Sequence, residues 1–346
     1  MASIAINGFG RIGRAFFKLV LTKEGLNIVA INDLGNVDAL AYLLKYDSVY
    51  GRYGKDVSVK DGKLVVDGKE FLFLSEKGAA KLPWGQLGVD IVVEATGVFE
   101  SFEKAAVHLR AGAKRVVLTS PAKDEDGSVN SPQVPADGRT VLMGVNEDVL
   151  KTCTISSNGS CTTNSASPVM QILVEKLGVK KAFLNTVHGY TATQALIDGG
   201  AKDHDMRRMR SAGVNIVPST TGAVIAVARA IDSLKGKFDG VAMRVPVVTG
   251  SLSAITFVAS RPTTAEEINK ILRDAESEDR WQGIFKTTSD QLVSTDIIGE
   301  SHAAVVDLTL TKVVDSDLCC VYSWYDNEFG YTNSLVDHVL KIAANL

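Results

Sequence analysis

The features that mark several protein classes are missing from this sequence. Its formal charge is −3, so no overall basic field would attract nucleic acid or an anionic membrane. Its four cysteines do not form a disulfide framework, and no Cys/His group has zinc-ligand spacing. No long apolar segment, signal-peptide pattern, internal repeat or low-complexity tract is present. We therefore expect a cytoplasmic globular protein without a metal site, and nucleic acid is not indicated as a partner.

The first half of the chain alternates short β-branched runs with amphipathic stretches. Strands are predicted at residues 4–6, 28–31, 91–94, 116–118 and 140–143. This alternation is typical of a parallel sheet covered by helices on both faces, a Rossmann-type α/β domain. Two Asp-Gly turns within residues 57–74 predict a small antiparallel insertion, and residues 122–138 are predicted to form a surface loop.

The second half has longer and more numerous strand patterns. Strands are predicted at residues 181–187, 240–248, 251–260, 303–311 and 318–325. We expect a mixed α+β domain with a largely antiparallel sheet. The predicted domains are residues 1–157, rejoined by a C-terminal helix at 329–346, and a catalytic domain at 158–328. The long polar stretch at 189–215 is predicted to be functional, because long loops inside a domain usually are.

A glycine-rich turn follows the first predicted strand. Residues 8–13 read GFGRIG, where glycines allow a tight turn and close approach of the backbone to a pyrophosphate at a helix N-terminus. Asp33 follows the second strand, 20 residues after Gly13, where a carboxylate binds the ribose hydroxyls of NAD and repels a 2′-phosphate. The alternative is that the glycines make only a turn and Asp33 caps a helix.

Cys161 lies in the run SNGSCTTN at residues 157–164, where a strand is predicted to give way to a helix. Helix N-terminal amides and an imidazole from His188 would stabilise a thiolate, so we expect a thiol pKa below its free value of about 8.5. The flanking Ser, Thr and Asn argue against an apolar pocket. The alternatives are an ordinary buried cysteine and a structural histidine.

A dinucleotide domain combined with a cysteine nucleophile indicates oxidation of an aldehyde. An aldehyde becomes a good hydride donor only after a nucleophile converts it to a tetrahedral adduct. Addition of the Cys161 thiol gives a thiohemiacetal, and loss of hydride gives a thioester. His188 is predicted to take the hydroxyl proton during that step.

Several motifs together resemble phosphorylating glyceraldehyde-3-phosphate dehydrogenase, over essentially the whole chain. They are INGFGRIGR at 6–14, AIND at 30–33, KYDS at 45–48, ATGVF at 95–99, GVN at 144–146, the Cys161 run, RVP at 244–246 and SWYDNEFGY at 323–331. The resemblance implies oxidative phosphorylation of glyceraldehyde 3-phosphate to 1,3-bisphosphoglycerate with NAD and inorganic phosphate, in a cytoplasmic homotetramer.

The resemblance also implies roles for individual residues. Cys161 matches the nucleophile and His188 its acid/base partner. The cofactor-contacting positions are Gly10, Arg11, Ile12, Asp33, Thr96, Gly97, Ser120, Asn327 and Tyr331, with Asn327 holding the nicotinamide carboxamide. Thr191 and Arg244 match the site for the substrate's phosphate. The site for inorganic phosphate is matched by Ser160, Thr162, Thr221 and Gly222. Arg210 is a further candidate for positive charge near the phosphates.

Three alternatives stay open at this stage. The segment 198–205 departs from the family pattern and lacks a proline associated with strict NAD preference, so an NADP-using form is one of them. Another is a related enzyme for a phosphorylated aldehyde, such as erythrose-4-phosphate dehydrogenase. The third is a non-catalytic dinucleotide-binding protein, against which the intact Cys161 and His188 argue. The sequence following Arg244-Val245-Pro246 also departs from the commonest one.

Overall fold

The protein divides into two structural units, each formed by separate stretches of chain. The computed structural model describes residues 1–129, 131, 135–200 and 205–346. The first unit contains Met1–Val141, Asn146–Gly159 and Leu335–Leu346, and the second contains Leu142–Val145 and Ser160–Ser334. Each unit is organised around one large sheet.

The first unit is built on a mainly parallel sheet, which the described residues form from ten strands in the order β10-β11-β12-β9-β8-β1-β2-β7-β6-β5. All neighbouring strands from β11 to β7 are parallel, and β10, β6 and β5 add antiparallel edges. Its central strands are buried runs of β-branched residues, as expected for a sheet covered on both faces. The strands of this unit are β1 (Ala2–Asn7), β2 (Leu26–Asn32), β3 (Tyr46–Asp47), β4 (Gly51–Arg52), β5 (Val57–Lys60), β6 (Lys63–Val66), β7 (Lys69–Leu74), β8 (Ile91–Glu94), β9 (Arg115–Leu118), β10 (Gly127–Val129), β11 (Ala136–Thr140) and β12 (Ile155–Ser157).

Three helices with defined starts connect these strands: α1 (Arg11–Val20), α2 (Val37–Lys45) and α3 (Phe102–Arg110). Asn36 caps α2 by accepting from the Ala39 N–H at 3.0 Å, and Ser101 caps α3 by accepting from the Lys104 N–H at 3.2 Å. The start of α1 has no side-chain cap. A helix start without a side-chain cap is a common place for an anion to bind.

The expected Rossmann-type organisation is confirmed, with differences near its edge. The predicted strand at 140–143 is wrong, since β11 covers Ala136–Thr140 and pairs in parallel with β12. The predicted loop at 122–138 contains β10, which pairs with β11. Its polar sequence has no alternating pattern, so the pairing with a neighbouring strand overrides the local loop signal. Residues 130 and 132–134 of that loop lie outside the described residues.

The second unit is built on a mixed sheet in the order β14-β15-β13-β16-β20-β18-β17, with β19 also paired to β20. The β13–β15 and β17–β18 pairs are parallel, and the other pairs are antiparallel. The largely antiparallel sheet predicted for this half is thus confirmed. Its strands are β13 (Val179–Gly189), β14 (Val217–Thr220), β15 (Phe238–Val245), β16 (Ser251–Ala259), β17 (Phe285–Thr288), β18 (Ala304–Asp307), β19 (Lys312–Val314) and β20 (Leu318–Tyr325).

The helices of this half are α4 (Cys161–Lys176), α5 (Ala223–Ala230), α6 (Ala265–Glu276) and α7 (Phe329–Ala343), whose residues from Leu335 belong to the first unit. The strand predicted at 303–311 ends at Asp307, because Asp307 Oδ1 accepts from the Thr309 N–H at 3.0 Å and starts a turn of 3-10 helix. The predicted long loop at 189–215 contains a 3-10 turn at Met206–Met209. Residues 201–204, within the altered 198–205 segment, lie outside the described residues.

Gly13 offers a test of the packing between α1 and β1. A Cβ at Gly13 would lie 2.1 Å from the Gly8 carbonyl oxygen, whereas one at Gly10 would meet nothing within 4 Å. We expect Gly13→Ala to lower the free energy of unfolding by about 1–3 kcal/mol through overpacking, although Ala is the better helix former. Urea unfolding measures this. Gly10→Ala is the matched control, and equal stabilities of the two variants would contradict the packing argument.

Candidate active site

The glycine-rich turn of the first unit brings the start of α1 close to two strands. Gly8 has φ +99°, a backbone conformation that favours glycine, and a Cβ there would lie 2.6 Å from the Ala95 carbonyl carbon. Gly10 is exposed, and Arg11 and Ile12 in the first turn of α1 are partly exposed. The open space at Gly10 and the uncapped helix start form a cradle that fits a pyrophosphate.

Asp33 is held at the edge of this cradle by two backbone donors. Its Oδ2 accepts from the Phe9 N–H at 2.6 Å, and its Oδ1 accepts from the Gly35 N–H at 2.7 Å. Each carboxylate oxygen has a second lone pair that can accept from a ribose hydroxyl. The side chain is therefore oriented by the glycine-rich turn itself.

The predicted residue Thr96, which follows β8, is held by a buried carboxylate that was not predicted from the sequence. Glu94, 3% exposed, accepts from the backbone N–H of Thr96 at 2.8 Å and from its hydroxyl. Gly97 follows with φ +66°, and the Ser120 carbonyl accepts from Ser157 Oγ at 2.7 Å. A charged residue closing an otherwise apolar strand was the available signal for Glu94.

In the second unit, Cys161 is the first residue of α4, and its position is fixed by a reciprocal cap. Ser160 Oγ accepts from the Thr163 N–H at 3.1 Å, and Thr163 Oγ1 accepts from the Ser160 N–H at 3.1 Å. Gly159 with φ +65° supplies the turn that precedes the helix. The thiol therefore stands at a helix N-terminus, where the partial positive charge favours an anion.

Cys161 and His188 form a hydrogen-bonded pair. The distance from Cys161 Sγ to His188 Nε2 is 3.3 Å. Cys161 is partly exposed, whereas His188, near the end of β13, is 1% exposed. A thiol within reach of an imidazole, at a helix start, has the geometry of an activated nucleophile.

Arg244 lies beside this pair because the sheet places it there. His188 on β13 and Arg244 on β15 occupy paired positions of two parallel strands. His188 Nδ1 lies 2.6 Å from Arg244 Nη1 and also 2.6 Å from the Gly189 carbonyl oxygen. One tautomer accepts from Arg244 at Nδ1. The other donates from Nδ1 to Gly189 and leaves Nε2 free to accept a proton.

Burial determines the protonation of both partners. Burial, assisted by the positive charge of Arg244, lowers the pKa of His188 from 6.5 to about 3. Burial also raises the pKa of the Cys161 thiol, although the Arg244 charge and the Thr162 N–H act in the opposite direction. The predicted lowering of the thiol pKa is therefore wrong, because desolvation outweighs the helix start. Both shifts act against the charged thiolate–imidazolium form of the pair.

A buried tyrosine that the sequence reasoning missed joins the two catalytic candidates. Tyr325 Oη lies 2.9 Å from Thr162 Oγ1 and 2.8 Å from Thr186 Oγ1. Its ring packs edge-on against His188 with the centroids 5.8 Å apart. Burial raises the pKa of Tyr325, so its hydroxyl stays neutral. No local pattern marked this residue, since its partners are more than 100 residues away in the sequence.

The residues predicted to bind phosphates lie on or beside four elements of the second unit, with Ser160 and Thr162 at the start of α4. Arg244 is on β15, Thr191 follows β13 with its hydroxyl 2.9 Å from Thr193 Oγ1, and Gly222 caps α5. Thr221 Oγ1 accepts from the Ala223 N–H at 3.2 Å. These groups include one guanidinium, hydroxyls and helix-start amides, which are phosphate-binding groups.

Arg210, the further candidate, is exposed and paired with an acidic residue. Its guanidinium pairs with Asp198 Oδ2 at 2.9 Å, and its side chain is 64% exposed. Burial lowers the pKa of Arg244, and the positive charge of Arg208 acts in the same direction. Arg208 donates to Ser219 Oγ at 3.0 Å, next to the Thr221 segment. The role suggested for Arg210 stays a prediction.

Asn327 and Tyr331 lie at the end of β20 and in the first turn of α7. Both are buried, at 5% and 4% exposure. The Asn327 Oδ1 accepts from two hydroxyls, Thr249 Oγ1 at 3.0 Å and Ser251 Oγ at 2.8 Å. Its orientation is thus fixed by the segment that precedes β16.

Comparison with known proteins identifies the family. The model for the glyceraldehyde 3-phosphate dehydrogenase NAD binding domain matches residues 2–102, and the model for the C-terminal domain matches residues 160–327. The glyceraldehyde-3-phosphate dehydrogenase of Clostridium pasteurianum is 45% identical, over 99% of this chain and 100% of its own. Those of Thermotoga maritima and Borreliella burgdorferi are 46% and 44% identical, over 97% and 98% of this chain and 98% and 99% of theirs.

The chain belongs to the glyceraldehyde-3-phosphate dehydrogenase family. The resemblance seen in the sequence is thereby confirmed, and so is the expectation of an NAD-dependent oxidoreductase. No helix within the described ranges is long and apolar enough to cross a membrane. The roles of the individual residues in this dehydrogenase stay predictions.

The depressed pKa of His188 predicts how stability changes with pH. Below its ordinary pKa of 6.5 the unfolded chain binds a proton at this position, while the folded chain does so only near pH 3. Stability is therefore lost as the pH falls through this window. Between about pH 6 and pH 4, the free energy of unfolding should fall more steeply with decreasing pH in the wild type than in His188→Gln. The difference between the two slopes should be about 1.4 kcal/mol per pH unit. Urea unfolding at several pH values tests this, and parallel slopes would contradict it.

His338 provides an independent comparison in the first unit. Its pKa is also lowered to about 3 by burial, and its Nε2 lies 2.7 Å from Ser156 Oγ. His338→Gln should change the pH dependence of the free energy of unfolding by the same amount, between about pH 6 and pH 4. Agreement between the two variants would assign the effect to buried neutral histidines rather than to the Arg244 contact.

Proposed function

We propose that this protein oxidises D-glyceraldehyde 3-phosphate to 1,3-bisphosphoglycerate, with NAD as the hydride acceptor and inorganic phosphate as the acyl acceptor. The observation that carries the proposal is the 3.3 Å contact between Cys161 Sγ and His188 Nε2, with Arg244 at 2.6 Å from the other ring nitrogen. A nucleophile, a base and a phosphate-binding cation are within one site of the second unit.

The first step is addition of the thiol to the aldehyde carbon. Because the Cys161 pKa is raised by burial, the proton must leave as the S–C bond forms. His188 Nε2 is the acceptor within reach. When Arg244 turns to the substrate phosphate, His188 Nδ1 donates to the Gly189 carbonyl and Nε2 carries the lone pair that accepts this proton.

The second step converts the thiohemiacetal to a thioester. The aldehyde oxygen bears negative charge as the S–C bond forms, and amides at the start of α4 can donate to it. The protonated His188 neutralises that oxygen and then takes the hydroxyl proton back as the C–H bond breaks. Bound NAD supplies the hydride acceptor.

The third step transfers the acyl group from sulfur to inorganic phosphate. We place the substrate phosphate at Thr191 and Arg244. The attacking phosphate is placed at Ser160, Thr162, Thr221 and Gly222, because helix starts and hydroxyls bind an oxyanion. Attack on the thioester breaks the C–S bond, and the departing sulfur is protonated by His188.

The first unit fits the dinucleotide, and this fit supports the proposed cofactor residues. The open space at Gly10, the uncapped start of α1 and the oriented Asp33 carboxylate suit a pyrophosphate and a ribose diol. The Asp33 charge would repel a 2′-phosphate. Arg11, Ile12, Thr96, Gly97 and Ser120 complete the proposed set in this unit, and Asn327 and Tyr331 complete it in the second. We assign binding of the pyrophosphate and ribose to the first unit, and catalysis to the second.

We place the protein in the cytoplasm as a homotetramer. Its four cysteines are free, which suits a reducing compartment. Large apolar side chains are exposed on the second unit: Phe183 at 47%, Val187 at 42%, Val214 at 78% and Ile216 at 70%. Exposed apolar side chains of this size support association between copies.

The decisive test of the reaction is a turnover assay with glyceraldehyde 3-phosphate, with NAD or NADP, in the presence or absence of inorganic phosphate. We expect turnover that requires phosphate and favours NAD. Cys161→Ser should lower kcat by about 1,000-fold or more, because a neutral hydroxyl forms the adduct poorly. Retained turnover in this variant would exclude the covalent mechanism.

Other outcomes of the same assay point to the alternatives. Activity that is unchanged without phosphate would indicate release of the acid by hydrolysis. Faster turnover of erythrose 4-phosphate would assign the chain to the related enzyme. A preference for NADP would overturn the role proposed for Asp33.

The oligomer has its own test. Light scattering coupled to size-exclusion chromatography should give a mass about four times that of the single chain. Val187→Asp places a charge on the exposed apolar face of β13 and should shift the protein to smaller species, because an unpaired charge is costly in an interface. A monomeric wild type would contradict the proposal.

A further inference from the structure

The hydroxyl of Ser251 connects the segment of the proposed base to the proposed cofactor residue. Ser251 Oγ accepts from the Gly189 N–H at 3.1 Å and lies 2.8 Å from Asn327 Oδ1. Gly189 follows His188 directly, and Ser251 is fully buried. One side chain therefore contacts both the end of β13 and the residue beyond β20.

The hydrogen on this hydroxyl determines which way the Asn327 amide faces. Because the Gly189 N–H already donates to Ser251 Oγ, the hydroxyl hydrogen needs an acceptor. The carbonyl oxygen of Asn327 is that acceptor, whereas the reversed amide would present N–H groups. Thr249 Oγ1 lies 3.0 Å from the same Oδ1 and 3.0 Å from Asp326 Oδ1, and its one hydrogen can be donated to either acceptor. The Ser251 hydroxyl thus favours a single orientation of the amide.

This orientation leaves the amide nitrogen as a donor. Within the described part of the chain, the hydrogen bonds of Asn327 go to Oδ1, and none uses Nδ2. Its N–H groups can therefore donate to a ligand oxygen. The carbonyl oxygen of a carboxamide is a matching acceptor.

The segment carrying the two hydroxyls is held rigidly. Gly250, between Thr249 and Ser251, has φ +90°, and a Cβ there would lie 2.0 Å from the Ser294 carbonyl oxygen. Thr249 Oγ1 also lies 3.0 Å from Asp326 Oδ1, which accepts from the Glu328 and Phe329 N–H groups at 2.9 Å. The hydroxyls are therefore fixed relative to the end of β20.

We propose that Ser251, assisted by Thr249, is a positioning residue that presents the Asn327 Nδ2 to the nicotinamide carboxamide. The inference rests on the function proposed for Asn327 and extends it to two residues that do not touch the cofactor themselves. It also gives a reason for the altered sequence at 247–251: Thr249 supplies a short hydroxyl that reaches the amide oxygen.

Ser253 is a matched control within the same strand. It lies two residues after Ser251 on β16, so both side chains point to the same face, and both are fully buried. Among the described residues, Ser253 Oγ has no hydrogen-bond partner. Ser251→Ala and Ser253→Ala therefore remove the same atom from similar surroundings, and only the first loses contacts to Asn327.

The experiment compares equilibrium binding of NAD with that of ADP-ribose, which lacks the nicotinamide, by isothermal titration calorimetry. Ser251→Ala should raise the Kd for NAD about fivefold to tenfold and leave the Kd for ADP-ribose unchanged, as expected for the loss of one hydrogen bond. Ser253→Ala should alter neither. Thr249→Val should act in the same direction as Ser251→Ala, and Thr249→Ser, which keeps the hydroxyl, should restore wild-type binding.

The outcomes separate this inference from the proposed function. Asn327→Ala must raise the Kd for NAD more than the Kd for ADP-ribose. If it does not, the proposed carboxamide contact is wrong. If it does, but Ser251→Ala and Thr249→Val behave like Ser253→Ala, the positioning inference is overturned. If Ser251→Ala raised the Kd for NAD and the Kd for ADP-ribose equally, the positioning inference would also be overturned, because that result would indicate a general structural role. Should Ser251→Ala fail to fold, the Thr249→Val and Thr249→Ser pair decides.

Discussion

The geometry of the active site depends on one buried hydroxyl. Tyr325 Oη contacts Thr162 at the start of α4 and Thr186 on β13, and these threonines stand one and two residues from Cys161 and His188. The helix carrying Cys161 and the strand carrying His188 are therefore linked through a rigid aromatic side chain on a third element. A shift of about 1 Å between such groups can cost a large part of the rate, so this connection determines whether the 3.3 Å contact persists.

The register of the sheet supplies the remaining partners. β13 lies between β15 and β16, which places Arg244 beside His188 and the start of β16 beside Gly189. Ser251 in turn pairs with Tyr325 across β16 and β20. His188, Arg244, Ser251 and Tyr325 thus occupy neighbouring strands at one end of the sheet. A one-residue slip of any of these strands would turn its side chain to the opposite face.

Much of this arrangement was predictable because its signals are local. The glycine-rich turn with Asp33, and Cys161 at a helix start, are encoded by short stretches in which turn, cap and nucleophile are consecutive. Long alternating or apolar runs likewise predicted both sheets. The residues that escaped prediction act across long sequence separations: Tyr325 meets Thr162 across 163 positions and Thr186 across 139. The effect of burial on the Cys161 pKa depends on desolvation, which no sequence period encodes.

The fixed groups around the catalytic pair are mostly hydroxyls, and this suits a reaction in which a proton moves. A hydroxyl can donate or accept by rotating about one bond, so Tyr325, Thr162 and Thr186 can follow the charge as it passes between sulfur, imidazole and substrate oxygen. A nearby free carboxylate would instead favour one protonation state. The carboxylate that is close in sequence, Asp326, accepts from backbone N–H groups at both oxygens, including that of Gly299 at 2.8 Å. The backbone therefore compensates the charge of Asp326. Arg244 is the charge that most affects the pair of Cys161 and His188, and a phosphate ligand can neutralise it.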